Sequence, residues 1–143
     1  MEKFRILSHT ADIGIVAYGR TLGAVFTNAA LGMFNIMTDI KKVKPTTSIR
    51  ISVKASNSEE LFVRWLNELL YYYSRKQIVF SMFEIKSIDE RKLTAVVYGE
   101  KLKKSSIVIR REIKAATYHQ LKLKRMVLPD NSIELQAEVI FDV

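Results

Sequence analysis

Apolar positions recur along this chain in two rhythms, and the rhythm changes where the elements change. Between Thr21 and Met37 the apolar set is Leu22, Val25, Phe26, Ala29, Ala30, Met33, Phe34 and Met37. Steps of three and four draw one continuous stripe, so this segment reads as an amphipathic helix with Thr21 as its cap. A second helix opens at Ser56-Asn57-Ser58-Glu59, which has the spacing of a capping box. It carries Leu61, Phe62, Trp65, Leu66, Leu69, Leu70 and Tyr73 on one side, with Glu60, Arg64 and Glu68 at intervals of four on the other. Elsewhere the period is two, or the apolar runs are short. Residues 3–7, 12–18, 47–54, 78–88, 91–99, roughly 107–127 with an irregularity in its middle, and 132–142 read as strands. Asp89-Glu90-Arg91 and Pro129-Asp130-Asn131-Ser132 supply turns, and Pro45 closes the turn after Asp39. The pattern predicts an α+β domain with two helices packed against a mostly antiparallel sheet.

The chain has 143 residues, 48% of them hydrophobic, which suits one ordered domain spanning 1–143. No apolar run has the length of a bilayer span, and the start, Met1-Glu2-Lys3-Phe4, lacks the profile of a signal peptide, so a soluble cytoplasmic protein is expected. There is no cysteine, which removes disulfides, thiolate metal sites and a Cys nucleophile together. The only histidines, His9 and His119, are too few for a three-His zinc centre in one chain. The formal net charge is +8. Cations cluster at Lys41, Lys42 and Lys44, at Lys101, Lys103 and Lys104, at Arg110, Arg111 and Lys114, and at Lys122, Lys124 and Arg125. Such clusters suit a polyanion such as RNA or an acidic protein, and they equally suit a surface that only needs solubility.

Candidate chemistry concentrates where the last strand stops. The sequence finishes Ile140-Phe141-Asp142-Val143. In the 132–142 strand Ile133, Leu135, Ala137, Val139, Phe141 and Val143 share one face, and Glu134, Gln136, Glu138, Ile140 and Asp142 share the other. Asp142 therefore points away from the main apolar face, close to the terminal carboxylate of Val143. A third acid, Asp12, ends the polar break Ser8-His9-Thr10-Ala11-Asp12, with His9 three residues before it. Like charges gathered together repel unless a hard cation or a cationic partner neutralises them. Oxygen donors suit Ca²⁺ or Mg²⁺, and the absence of Cys argues against softer metals. Gathering them requires strands distant in sequence to be neighbours with matching ends. Spacing alone leaves a simpler reading in place, in which Asp142 is a solvated end residue and Asp12 caps a turn.

Two other segments carry polar or aromatic density. Glu112-Ile113-Lys114-Ala115-Ala116-Thr117-Tyr118-His119 offers an acid, a base, hydroxyls and an imidazole. A strand in which Tyr118 and His119 make structural hydrogen bonds accounts for it better than a general base without a nucleophile. Tyr71-Tyr72-Tyr73 ends the second helix, with Tyr73 continuing the buried stripe and the other two open to protein contacts. Trp65 belongs to the core. No nucleophile elbow, P-loop or dinucleotide fingerprint occurs.

Six ordered segments give these features a context. They are His9 to Ile15, Gly19-Arg20-Thr21-Leu22 with Ala29 to Phe34, Trp65 to Tyr71, Tyr98-Gly99-Glu100, Glu112 to His119, and Val139 to Val143. Along nearly its full length the chain resembles the archease family. The resemblance implies a small α+β fold with a strand-helix-strand-strand core module. It implies a non-catalytic helper: an activator of the tRNA-splicing RNA ligase that works through GTP and a guanylyl-histidine, promoting guanylylation and multiple turnover. It implies, as an alternative, a chaperone-like, RNA-binding modulator of a tRNA cytosine methyltransferase. The family's metal site maps onto Asp12, Asp142 and Val143, with calcium expected ahead of magnesium or manganese. His9 and Asp39 are further candidates for orientation or partner contact. One stretch departs from the family: where many relatives carry acids and a histidine, this chain has Lys101-Leu102-Lys103-Lys104-Ser105-Ser106-Ile107.

Overall fold

Side chains with short polar groups start both helices. In the computed structural model, which describes residues 2–8 and 12–143, Thr21 Oγ1 accepts the Ala24 N–H at 3.1 Å and opens helix α1, Leu22–Met37. Asn57 Oδ1 accepts the Glu60 N–H at 2.9 Å and opens helix α2, Ser58–Lys76. The capping box is thus set one residue later than the Ser56–Glu59 spacing suggests. Glu60, not Glu59, reaches back, accepting the Ser56 N–H at 3.1 Å. Asn competes well for the cap because its side-chain carbonyl, like a Ser hydroxyl, can accept the N–H three residues on. On the exposed face of α2, Arg64 lies 3.4 Å from Glu60. Among the described residues Glu68 joins no ion pair.

The strands are β1 (Phe4–Ser8), β2 (Ile13–Gly19), β3 (Thr47–Lys54), β4 (Ile78–Ile88), β5 (Lys92–Lys101), β6 (Ala115–Ala116), β7 (Lys122–Val127) and β8 (Ile133–Asp142). All pair antiparallel, but in two sheets rather than one. The first runs β1-β2-β8, with β6 and β7 both paired to the free side of β8. The second runs β3-β5-β4. Alternation reports which face a strand buries; it does not report which strand lies beside it. The segment β3-α2-β4-β5 is the strand-helix-strand-strand module.

The expected 107–127 strand is the largest correction. Residues 105–114 form no strand. Their backbone is held instead by the end of α1: Arg110 N–H donates to Met37 O at 2.9 Å, and Thr38 Oγ1 donates to Val108 O at 2.8 Å. Pairing with β8 begins at Ala115, breaks at Thr117–Leu121 and resumes at Lys122.

One core joins these layers. Helix α1 packs on β1, β2, β8 and β4, while α2 packs on β3, β4, β5 and β6. Phe26 meets Phe62 edge-on at 5.1 Å, Phe34 meets Phe80 at 5.6 Å, and Trp65 meets Phe83 at 6.2 Å. Trp65 is fully buried, and its Nε1–H donates to Phe26 O at 3.0 Å. Burying each such ring contributes about 1.5–3 kcal/mol. Ala137, Val139 and Phe141 enter this core from β8, as the alternation predicts.

Candidate functional site

The register between β2 and β8 creates the site. Ile13 pairs with Phe141 as the outermost pair, so one further step places Asp12 across from Asp142. The other side of β8 is held as closely. Ala115 pairs with Asp142 and Ala116 with Phe141. Lys114 N–H donates to Asp142 O at 2.8 Å, and Thr117 donates to Ile140 O from its N–H at 3.0 Å and its Oγ1 at 2.8 Å. The end of β8 is therefore gripped from both edges while the Asp142 side chain stays exposed.

Helix α2 fixes the segment that does the gripping. Asn67 Nδ2 donates to Ala116 O at 3.0 Å, and Asn67 Oδ1 accepts the Ala116 N–H at 2.8 Å. The amide side chain thus replaces the neighbouring strand that Ala116 lacks. Further along the helix, the Tyr73 hydroxyl donates to both carboxylate oxygens of Glu112, at 2.9 and 3.0 Å. Burial, reinforced by the Glu112 charge, holds the Tyr73 phenol well above its ordinary pKa. Ile113, between these anchors, is buried in the core.

A cleft of about 320 Å³ opens at this end of the sheet, lined by Asp12, Thr117, His119, Ile140, Phe141, Asp142 and Val143. Its floor depends on Gly14, which pairs with Ile140. A Cβ at Gly14 would lie 2.4 Å from Val139 O and 2.9 Å from Ile140 Cδ1. Without that Cβ, Ile140 folds down over the strand, 4% exposed although it faces away from the main core.

The expected site residues separate into groups. Asp12, Asp142 and Val143 line one cleft. His9 lies outside the described residues. Asp39 lines a different cleft with Thr38, Lys42 and Arg110, and its carboxylate accepts the Lys41 N–H at 3.2 Å. Tyr118 and His119 sit in a turn, not in a strand, and among the described residues neither side chain makes a hydrogen bond. That turn, where Gln120 takes a left-handed φ of 52°, brings His119 into the cleft. His119 and Thr117 are thus additions to the site, and Asn67 is its unexpected support. The density of polar residues in 112–119 was the signal for the first two. Asn67 gave none, because an Asn inside an amphipathic helix reads as surface.

The donor chemistry fits a hard cation. Two aspartates line one cleft, both exposed, and among the described residues neither joins an ion pair. Among the described residues no three His, Asp or Glu side chains gather into a metal cluster.

A small α+β domain with a strand-helix-strand-strand module and paired aspartates at the end of its terminal strand defines a class, and comparison with known proteins gives the class its name. Residues 4–143 match the model of the Archease protein family. The protein archease of Sulfurisphaera tokodaii is 41% identical over 126 residues, covering 87% of this chain and 90% of that one. The protein archease of Methanothermobacter thermautotrophicus is 36% identical over 147 residues, covering all of both chains. The solution structure of Methanobacterium thermoautotrophicum protein 1598 superposes with a TM-score of 0.79 at 33% identity, covering 100% of both chains. The crystal structure of a Thermotoga maritima archease, titled a possible chaperone, shares the fold with a TM-score of 0.64 at 22% identity, covering 96% of this chain and 94% of that one. The chain belongs to the archease family. Among its described residues no helix is long and apolar enough to cross a membrane.

Proposed function

We propose that this protein is a non-catalytic activator of a tRNA-splicing RNA ligase. It would promote the ligase's guanylylation by GTP, and hence its multiple turnover, through a divalent cation held at Asp12, Asp142 and the main-chain carboxylate of Val143. The observation that carries this reading is the register pairing that sets Asp12 across from Asp142 in one cleft. Family membership supports the partner. Oxygen donors favour Ca²⁺, with Mg²⁺ or Mn²⁺ as alternatives. A bound cation would supply positive charge near the phosphates of the incoming nucleotide. The contribution of this chain is to hold it: β2 and β6 fix the end of β8, and the Asp142 carboxylate projects toward the partner. Binding one conformation of the ligase more tightly than another would shift it toward the competent state.

The test is single-turnover guanylylation. Ligase, labelled GTP and metal are mixed with and without this protein, and the covalent GMP adduct is counted. A rise in adduct is expected, lost in Asp142→Ala and in Asp12→Ala while both variants melt like the wild type. A fully active Asp142→Ala protein would overturn the reading.

The net charge of +8 favours a second reading, an RNA-binding, chaperone-like modulator of a tRNA cytosine methyltransferase in the cytoplasm. The description of the Thermotoga maritima protein as a possible chaperone points the same way. Salt separates the two readings, since phosphate contacts weaken steeply as salt rises. An effect through the carboxylates responds instead to chelator and to the aspartate substitutions.

A further inference from the structure

The sequence scatters its lysines, but the fold gathers four cations from two distant segments. Arg75 and Lys76 occupy the last turn of α2, and Lys101 and Lys103 lie where β5 ends and turns. All four line one cleft of about 480 Å³, together with Thr47 and Ile49 of β3 and with Gln77 and Ile78. The gathering is built into the backbone. Gln77 closes α2 in a left-handed conformation with φ 56°, its carbonyl accepts the Leu102 N–H at 2.8 Å, and Ile78 pairs with Lys101.

The helix dipole explains cations at 75 and 76, where they face the negative C-terminal end. It does not require a third and fourth from another strand. No acid lines the cleft, and among the described residues none of the four cations joins an ion pair. Glu100, next along β5, is turned to an adjoining cleft, where it accepts the Lys44 N–H at 2.9 Å. A concave surface lined by one sign of charge concentrates the opposite sign. Beside it stands an aromatic plane. Tyr71, one turn before Arg75, is 51% exposed, and the Arg75 guanidinium sits 5.8 Å from its ring centre.

We propose that this cleft binds single-stranded RNA, with Lys76, Lys101 and Lys103 on successive phosphates and a base stacked at Tyr71 and Arg75. The phosphates match the unpaired cations, and the ring and guanidinium plane match a base, which an acidic peptide would not use. This site is separate from the carboxylate cleft and goes beyond the activator reading: the two clefts share no residue.

The experiment measures anisotropy of a labelled single-stranded RNA oligonucleotide against the full chain over a range of KCl concentrations. Three phosphate contacts predict a log–log salt slope of about −2.1, at roughly 0.7 per contact. The double substitution Lys101→Gln with Lys103→Gln should bring the slope to about −0.7. Tyr71→Ala should weaken binding roughly tenfold without changing the slope. Lys122→Gln with Lys124→Gln, of equal charge but on β7, should leave binding near wild type. Melting curves identify any variant that fails to fold, and Lys76→Gln, with a slope of about −1.4, then serves in place of the β5 pair. Equal losses from the β5 and β7 pairs would reduce the effect to net charge and overturn the proposal. Competition by polyglutamate as effective as by unlabelled RNA would overturn it in favour of an acidic protein. So would a wild-type protein that binds no RNA.

Discussion

Removing the Asn67 side chain tests the architecture that holds the carboxylate site. In Asn67→Ala the helix gains a better helix former, worth about 0.5 kcal/mol. Against that, the N–H and the carbonyl of Ala116 both lose their partner, at 2.8 and 3.0 Å. Ala116 is 5% exposed, so water does not readily replace the amide. An unsatisfied buried group costs about 1–3 kcal/mol, and two of them about 3 kcal/mol together. The net expectation is a loss of about 2.5 kcal/mol in urea unfolding, with faster hydrogen exchange at the Ala116 amide. Because β6 has only two register pairs with β8, the loss should spread to Asp142 and weaken the metal binding proposed for the cleft. Asn67→Asp adds a signature that general damage lacks. Its carboxylate still accepts the Ala116 N–H but faces the Ala116 carbonyl without a proton. Protonation below about pH 4 supplies that proton, so part of the loss should return in acid. A loss under about 0.5 kcal/mol for Asn67→Ala, within the range of ordinary surface changes, with unchanged exchange at Ala116, would refute the reasoning.

Other expectations follow from single contacts. The Tyr73 phenol is held above its ordinary pKa by burial and by Glu112, so its contribution is complete below about pH 10, the unfolded value, and is lost as pH rises above it. Tyr73→Phe should flatten the alkaline side of a stability–pH profile, and an unchanged profile would contradict the bond to Glu112. Gly14→Ala places a Cβ 2.4 Å from the Val139 carbonyl, which only backbone movement can relieve. A loss of about 2–3 kcal/mol in urea unfolding is expected, together with a weakening, in calorimetry, of the metal binding proposed for the cleft. Trp65→Phe removes a fully buried indole and the bond to Phe26 O, for about 2 kcal/mol in thermal melts with the fold retained by circular dichroism.

Both helices, and the strands at 47–54 and 78–88, were legible in the sequence because local periodicity decides them. The expected ranges match β3 and β4 to the residue. The 107–127 stretch was not legible, since what decides it is not local. Its first part satisfies its backbone on Met37 and on Thr38 of a distant helix, and β6 exists because Asn67 completes it. A strand of two residues has no period to detect. The division into two sheets was hidden for a related reason: alternation at Ile49, Ile51 and Val53 assigns a face and is silent on whether β5 or β2 lies alongside.

The candidate site divides along the same line. Asp142 could be assigned a direction from the alternation of β8, but its company could not be deduced from spacing. Asp12 and Asp142 share a cleft only because Ile13 pairs with Phe141, a pairing that spans almost the whole chain. Asp39 was separable from them only by geometry, because a residue beside a helix end looks alike in sequence whichever cleft it serves. The basic cleft repeats the lesson in reverse. Lys101 and Lys103 stood out as a run, and Arg75 and Lys76 as an ordinary helix end. The bond from Leu102 to the Gln77 carbonyl makes them one surface. An acidic stretch at 101–104 would place negative charge against the negative end of α2. In this chain the same turn carries lysines, which stabilise that helix end and leave a cationic groove open to an anionic partner.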